Sequence, residues 1–164
     1  MNDSSPSSIT PSVTPSITVR EGTLAEAWAI YQQLPEFVGG LLDQSQFEHR
    51  LAQSSAIVLI AYLDDEALGF KVGFDRYADG SFYSWLGGVV KHARRKGVAR
   101  ALLLEQEKKV IAAGFDRVYV KTLNRYIGML TLLLTNGYGV VGVKLPDDLP
   151  VADGRLTLVK ILRG

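Results

Sequence analysis

Three apolar runs in quick succession constrain this chain more than any other feature. Residues 56–63 read AIVLIAYL, residues 67–74 read ALGFKVGF, and residues 82–90 read FYSWLGGVV. Asp64, Asp65 and Glu66 stand at the first junction, and a loop over 75–80 with the turn signal Asp79-Gly80 forms the second. Apolar runs bounded by such turn signals read as strands, and connections this short join strands of opposite direction. An antiparallel meander is therefore expected.

After the meander the period changes. Residues 98–113 carry Leu102, Leu103, Val110 and Ile111 at helical spacing, and Gly114 ends them. A strand follows within 116–122, built on Val118-Tyr119-Val120. Because a helix intervenes, it should return parallel to its predecessor. A helix over 124–135, closed by Asn136-Gly137, and strands at 138–143 and 156–162 complete the chain. Ahead of the meander, a short strand at 17–20 leads to a helix that starts at the N-cap Thr23. Glu26 closes its capping box, and it ends near Leu34 before Pro35. A second helix is expected over 43–53, with Leu42, Phe47 and Leu51 near one face. The expected fold class is α/β in the α+β sense: one mixed, mostly antiparallel sheet of six to seven strands, with helices on both faces.

Residues 17–164 are expected to form a single domain. Residues 1–16 are rich in Ser, Pro and Thr and hold no Lys or Arg. That tail is expected to be disordered, and it lacks the basic start and apolar middle of a secretory signal. No cysteine is present, which excludes disulfides, a thiol nucleophile and thiolate metal sites. His49 and His92 lack metal-site spacing, so no metal is expected. A net charge of +1 argues against a nucleic-acid partner. No apolar stretch reaches the roughly 20 residues that span a membrane, and a cytoplasmic location is expected.

The stretch that speaks most directly to chemistry joins the run 82–90 to the helix at 98. It reads Arg94-Arg95-Lys96-Gly97-Val98-Ala99. The first N–H groups of a helix have no intrahelical partner, and the dipole adds about half a positive charge there. Gly97 permits a tight turn, Ala99 keeps its side chain short, and Arg94, Arg95, Lys96 and Arg100 supply positive charge. Together they suit a phosphate. The Gly-Lys-Ser/Thr of a P-loop is absent, and so are the three glycines of a dinucleotide fingerprint.

The pattern Arg94-x-x-Gly97-x-Ala99, after a strand ending Gly87-Gly88-Val89-Val90, resembles the Arg/Gln-x-x-Gly-x-Gly/Ala signature of the GCN5-related N-acetyltransferase (GNAT) superfamily. The segment order is similar as well, so the resemblance covers about 17–164 and is sharpest over 84–142. It implies acetyl-CoA as co-substrate, with the diphosphate at residues 94–100 and pantetheine between splayed fourth and fifth strands. It implies direct transfer to a primary amine in a ternary complex. A backbone N–H of Val89 or Val90 is the implied oxyanion donor, at a bulge where two glycines lower strand propensity. Packing beneath a helix is the other reading of those glycines. Asn124 matches the asparagine that contacts the cofactor, and it also suits an N-cap. Val98 and Met129 would flank the cofactor.

The chain departs from the family pattern in two places. Leu133 stands where many members place an acidic-proton tyrosine, which leaves Tyr126 as the candidate acid. Residues 82–85 hold no glutamate, which leaves Glu36, Glu48 and His49 as candidate bases, with Glu48 carried forward. Tyr31, Lys71, Tyr83 and Trp85, with Phe70, are expected to shape an acceptor pocket, and ordinary packing is the plainer account of them. The departures keep a second class open, a non-catalytic coenzyme A-binding sensor of the same fold. The acceptor is unread: polyamine, aminoglycoside, amino acid, peptide N-terminus and protein lysine all stand. Dimers are common in the superfamily, which keeps a homodimer open.

Overall fold

The computed structural model describes residues 16–40, 42–148 and 150–163. Apart from Ser16, the tail expected to be disordered lies outside the described residues. Strand β1 (Ile17–Glu21) leads into α1 (Leu24–Tyr31). Thr23 caps the helix as expected: its Oγ1 accepts from the Glu26 N–H at 3.1 Å, and Glu26 Oε2 accepts from the Thr23 N–H at 2.7 Å. Thr23→Ala is expected to cost about 1 kcal/mol, read as a lower urea midpoint. An unchanged midpoint would mean the cap contributes nothing.

Helix α1 stops three residues earlier than the sequence suggests. The N–H of Leu34 turns back to the Tyr31 carbonyl at 3.1 Å, since the residue before Pro35 is driven from helical geometry. A single 3-10 turn, Pro35–Phe37, precedes α2 (Gln44–Leu51), which Asp43 and Gln46 cap reciprocally.

The meander is β2 (Ile57–Leu63), β3 (Glu66–Phe74) and β4 (Ser81–Val89), antiparallel throughout. Then α3 (Val98–Ala112) crosses to β5 (Arg117–Leu123), which runs parallel to β4. The chain closes with α4 (Ile127–Thr135), β6 (Gly139–Lys144) and β7 (Arg155–Ile161). The seven strands lie in the order β1-β2-β3-β4-β5-β7-β6. Helix α4 begins three residues later than expected. The N–H groups of Asn124 and Arg125 bond to the carbonyls of Gly154 and Ala152, both at 2.9 Å, and so leave the helix.

Successive strand residues face opposite ways, and this fixes which helices lie on which face. A side chain added at Gly69 would meet Val98 and Leu102 of α3, whereas the ring of Phe70 stands edge-on to Tyr31 of α1. Hence α1 and α3 cover opposite faces, as expected. Trp28, Phe47, Leu59 and Phe70 lie in one apolar cluster; Phe82, Leu103, Val110 and Leu133 lie in the other, which places α4 with α3. Among the described residues no helix is long and apolar enough to cross a membrane.

Candidate functional site

The sheet opens where its one parallel pair ends. Strands β4 and β5 pair only from Ser81↔Arg117 to Ser84↔Val120, and β4 then continues alongside β3 alone. The divergence leaves a cleft of about 1170 Å³ that is lined from both faces of the sheet. The Val90 N–H is taken by the Leu68 carbonyl at 2.9 Å. Backbone direction alternates along a strand, so the N–H groups of Val89 and Gly87 face the edge that β5 has left. Val90 is thereby removed as an oxyanion donor, and Gly87 joins Val89.

The bulge also differs from expectation. Val72 pairs Leu86 but Gly73 pairs Ser84, so the extra residue is Trp85. Gly87 and Gly88 pair in register with Lys71 and Phe70. Gly88 answers to packing: a Cβ there would stand 2.3 Å from Leu34 Cδ1.

At the other end of the cleft, Gly97 is the N-cap of α3 with φ +85°, the left-handed region that glycine enters at least cost. Among the described residues no side chain caps this helix. The N–H groups of Val98, Ala99 and Arg100 are therefore left at its mouth. Val98, Ala99, Arg95 and Arg100 line the cleft there, while Lys96 is exposed and does not. Arg94 is not a free cation. Its Nε donates to the Val89 carbonyl at 2.8 Å, and its Nη2 donates to both Glu36 oxygens at 2.7 and 2.9 Å. This ion pair spends Arg94 as a strut between β4 and the Pro35–Phe37 turn, and it removes Glu36 as a free base.

A sequence model described as the Acetyltransferase (GNAT) family matches residues 24–132. The chain belongs to the GNAT acetyltransferase family. Solved structures share the fold at low identity. The ribosomal-protein-S18-alanine N-acetyltransferase from Escherichia coli superposes with a TM-score of 0.77 at 12% identity, covering 91% of this chain and 96% of that one. A GCN5-related N-acetyltransferase from Kribbella flavida gives 0.74 at 19%, covering 88% and 97%. Ard1 from Thermoplasma volcanium gives 0.73 at 18%, again covering 88% and 97%. No curated protein matches.

In this GNAT chain the expected acceptor pocket splits in two. Phe70 and Lys71 face opposite sides of the sheet, so Lys71 lies on the α3 side, away from Tyr31. Its side chain is 6% exposed and lines the cleft, and among the described residues it forms no salt bridge. Burial pulls its ammonium down to about 8, opposed by the carboxylate of Glu107 on α3. Glu107 is itself held by the Tyr138 hydroxyl at 3.1 Å and Lys160 Nζ at 2.8 Å. Ser84 Oγ, at the vertex where β4 and β5 part, is buried, has no hydrogen-bond partner among the described residues, and also lines the cleft.

On the α1 side, Tyr31, Trp85, His49 and Arg50 line a separate hollow of about 430 Å³. Arg50, Trp85 and Leu86 border both spaces. Tyr83 is 5% exposed and meets Phe74 edge-on at 5.8 Å; burial raises the pKa of its phenol. Tyr126 and Met129 line the cleft.

Two further expected residues are elsewhere. Glu48 borders neither space and accepts from Gln44 on its own helix at 2.9 Å. Asn124 does not line the cleft: its Nδ2 donates to the Val151 carbonyl at 2.9 Å, and the N-cap of α4 is Tyr126. Leu133, at the position of the missing tyrosine, is fully buried in the core beneath α4. Among the described residues no group of His, Cys, Asp or Glu is arranged to hold a metal.

Proposed function

We propose that this chain passes an acetyl group from acetyl-CoA directly to a primary amine, with both bound in the cleft. The observation that carries this reading is the uncapped mouth of α3 opening on the same cleft as the free edge of β4. Acetyl-CoA would supply the activated acetyl thioester. Its diphosphate suits the N–H groups of Val98, Ala99 and Arg100, with the Arg95 and Arg100 guanidinium groups beside them. Its amide-bearing arm suits the N–H groups of Gly87 and Val89 on the edge that β5 has left, and we assign the oxyanion to the Val89 N–H. Lys71 is the group that holds and releases a proton. An amine near pKa 8 exchanges its proton close to neutral pH, whereas an ordinary lysine does not. Tyr126 is the second candidate in the same cleft.

The test is calorimetry with acetyl-CoA, followed by thiol release with a panel of primary amines. Heat and turnover support the reading. Heat without turnover on any amine supports the alternative, a coenzyme A-binding sensor. No heat overturns both.

A further inference from the structure

The cleft collects one sign of charge from a chain that is nearly neutral. Of 18 Lys and Arg residues in the sequence, nine line it. Among the described residues Glu36 is the one Asp or Glu that does, and Arg94 neutralises it. The excess is larger than the phosphates of a coenzyme A thioester require, and half of it lies in the wrong place for them.

Arg94, Arg95 and Arg100 stand at the mouth of α3, and Arg125 is paired with Asp153. Arg76, Lys121 and Arg155 gather instead around Tyr83, on the α1 side of the sheet. The Arg76 guanidinium is 4.9 Å from the Tyr83 ring centre, and Lys121 Nζ is 5.8 Å away. Arg155 faces the same way: it pairs with Leu123, which shares a strand face with Lys121. Arg50 lies over the Trp85 ring at 5.1 Å, between the cleft and the smaller hollow. Among the described residues none of these four has a carboxylate partner. Each keeps its field for something that enters. A cleft with one sign of charge and partly apolar walls concentrates counter-ions and repels its own sign.

Resting on the acetyl-transfer reading, we infer that the acceptor is a primary amine that carries anionic groups, carboxylate or phosphate, in the same molecule. Arg76, Lys121 and Arg155 would hold the anionic end over Tyr83, with Arg50 at the entrance. The burial-raised Tyr83 phenol stays protonated and adds a hydrogen-bond donor to the set. Polyamines, aminoglycosides and lysine-rich tails meet only repulsion here.

Two measurements test the inference. The first is thiol release with glutamate, aspartate and phosphoethanolamine against spermidine and a polycationic aminoglycoside, at low and high salt. We expect the anionic amines to lead by about 100-fold in kcat/KM at low salt, and the lead to shrink as salt screens it. Glutamate against phosphoethanolamine tells carboxylate from phosphate. The second is calorimetry of N-acetyl-glutamate and phosphoethanolamine on the protein alone, which needs no turnover. Arg155→Glu and Arg76→Glu are exposed changes expected to weaken both anions about 10-fold or more and to leave acetyl-CoA affinity within about 2-fold. A polycation as the best acceptor, or no heat from either anion, overturns the inference. Loss of acetyl-CoA binding in the wild type would instead overturn the reading beneath it.

Discussion

Gly97→Val is expected to lower affinity for acetyl-CoA by about 100-fold or more while leaving the protein folded. The reason is backbone rather than space. Among the described residues a Cβ at position 97 would meet only Ile17 Cδ1, at 3.7 Å, so no clash there drives the effect. The φ of +85° is the obstacle, and a β-branched residue held there is strained by about 1–2 kcal/mol. A loop that relaxes toward negative φ re-aims the free N–H groups of Val98 and Ala99. Each charge-assisted hydrogen bond contributes roughly 1.5–3 kcal/mol, so losing two removes a factor of about 100 or more. Calorimetry of acetyl-CoA on the variant, beside its circular dichroism spectrum, is the check. Undiminished affinity in a folded variant would detach the phosphate from this turn.

Lys71→Met is expected to stabilise the fold and to remove most of the activity. A fall from 10.5 to about 8 means that folding works against the charged ammonium. At about 1.4 kcal/mol per pH unit, the penalty is about 3 kcal/mol. The sign is that of a depressed amine. Between about pH 8 and 10.5 the unfolded chain binds more protons, so wild-type stability rises with pH across that window. Below pH 8 the penalty is present in full. Lys71→Met has a similar length and no charge, so it should exceed the wild type by about 2–3 kcal/mol at pH 7. The two should converge toward pH 10.5. Urea unfolding at both pH values measures this. A variant less stable than the wild type at pH 7 would mean the ammonium has a partner in the fold. Turnover should fall about 100-fold with acetyl-CoA affinity kept, the usual opposition between a stable core and a working site.

These two positions were unequally visible in the sequence. Gly97 was legible because its setting is local: a strand, a basic turn and a helix start lie within a dozen residues. The bulge was not, since Trp85 becomes an extra residue only against the register of β3. Strand alternation alone puts Lys71 and Phe70 on opposite faces of the sheet, so the two cannot share one pocket wall. Asn124 carried two local roles on paper. The chain took a third, because the 150–154 loop returns beside it and claims its amide. Arg76, Lys121 and Arg155 gave almost no signal. Only Lys121 shows a pattern, alternating with the buried Val118, Val120 and Thr122 of β5.

By itself the amino-acid order determined the meander, the parallel return after α3, the helix mouth at Gly97 and the absence of a tyrosine at Leu133. Each follows from the period of side chains or the conformation of single residues, which neighbours a few positions apart decide. Only the tertiary structure decided that Lys71 is buried with no salt bridge among the described residues, that Val90 gives its N–H to Leu68, and that cations from four separate elements converge on Tyr83 and Trp85. Those outcomes depend on strand pairing and on which groups lose water together, and residues as far apart in the chain as Tyr83 and Arg155 must meet before either is set.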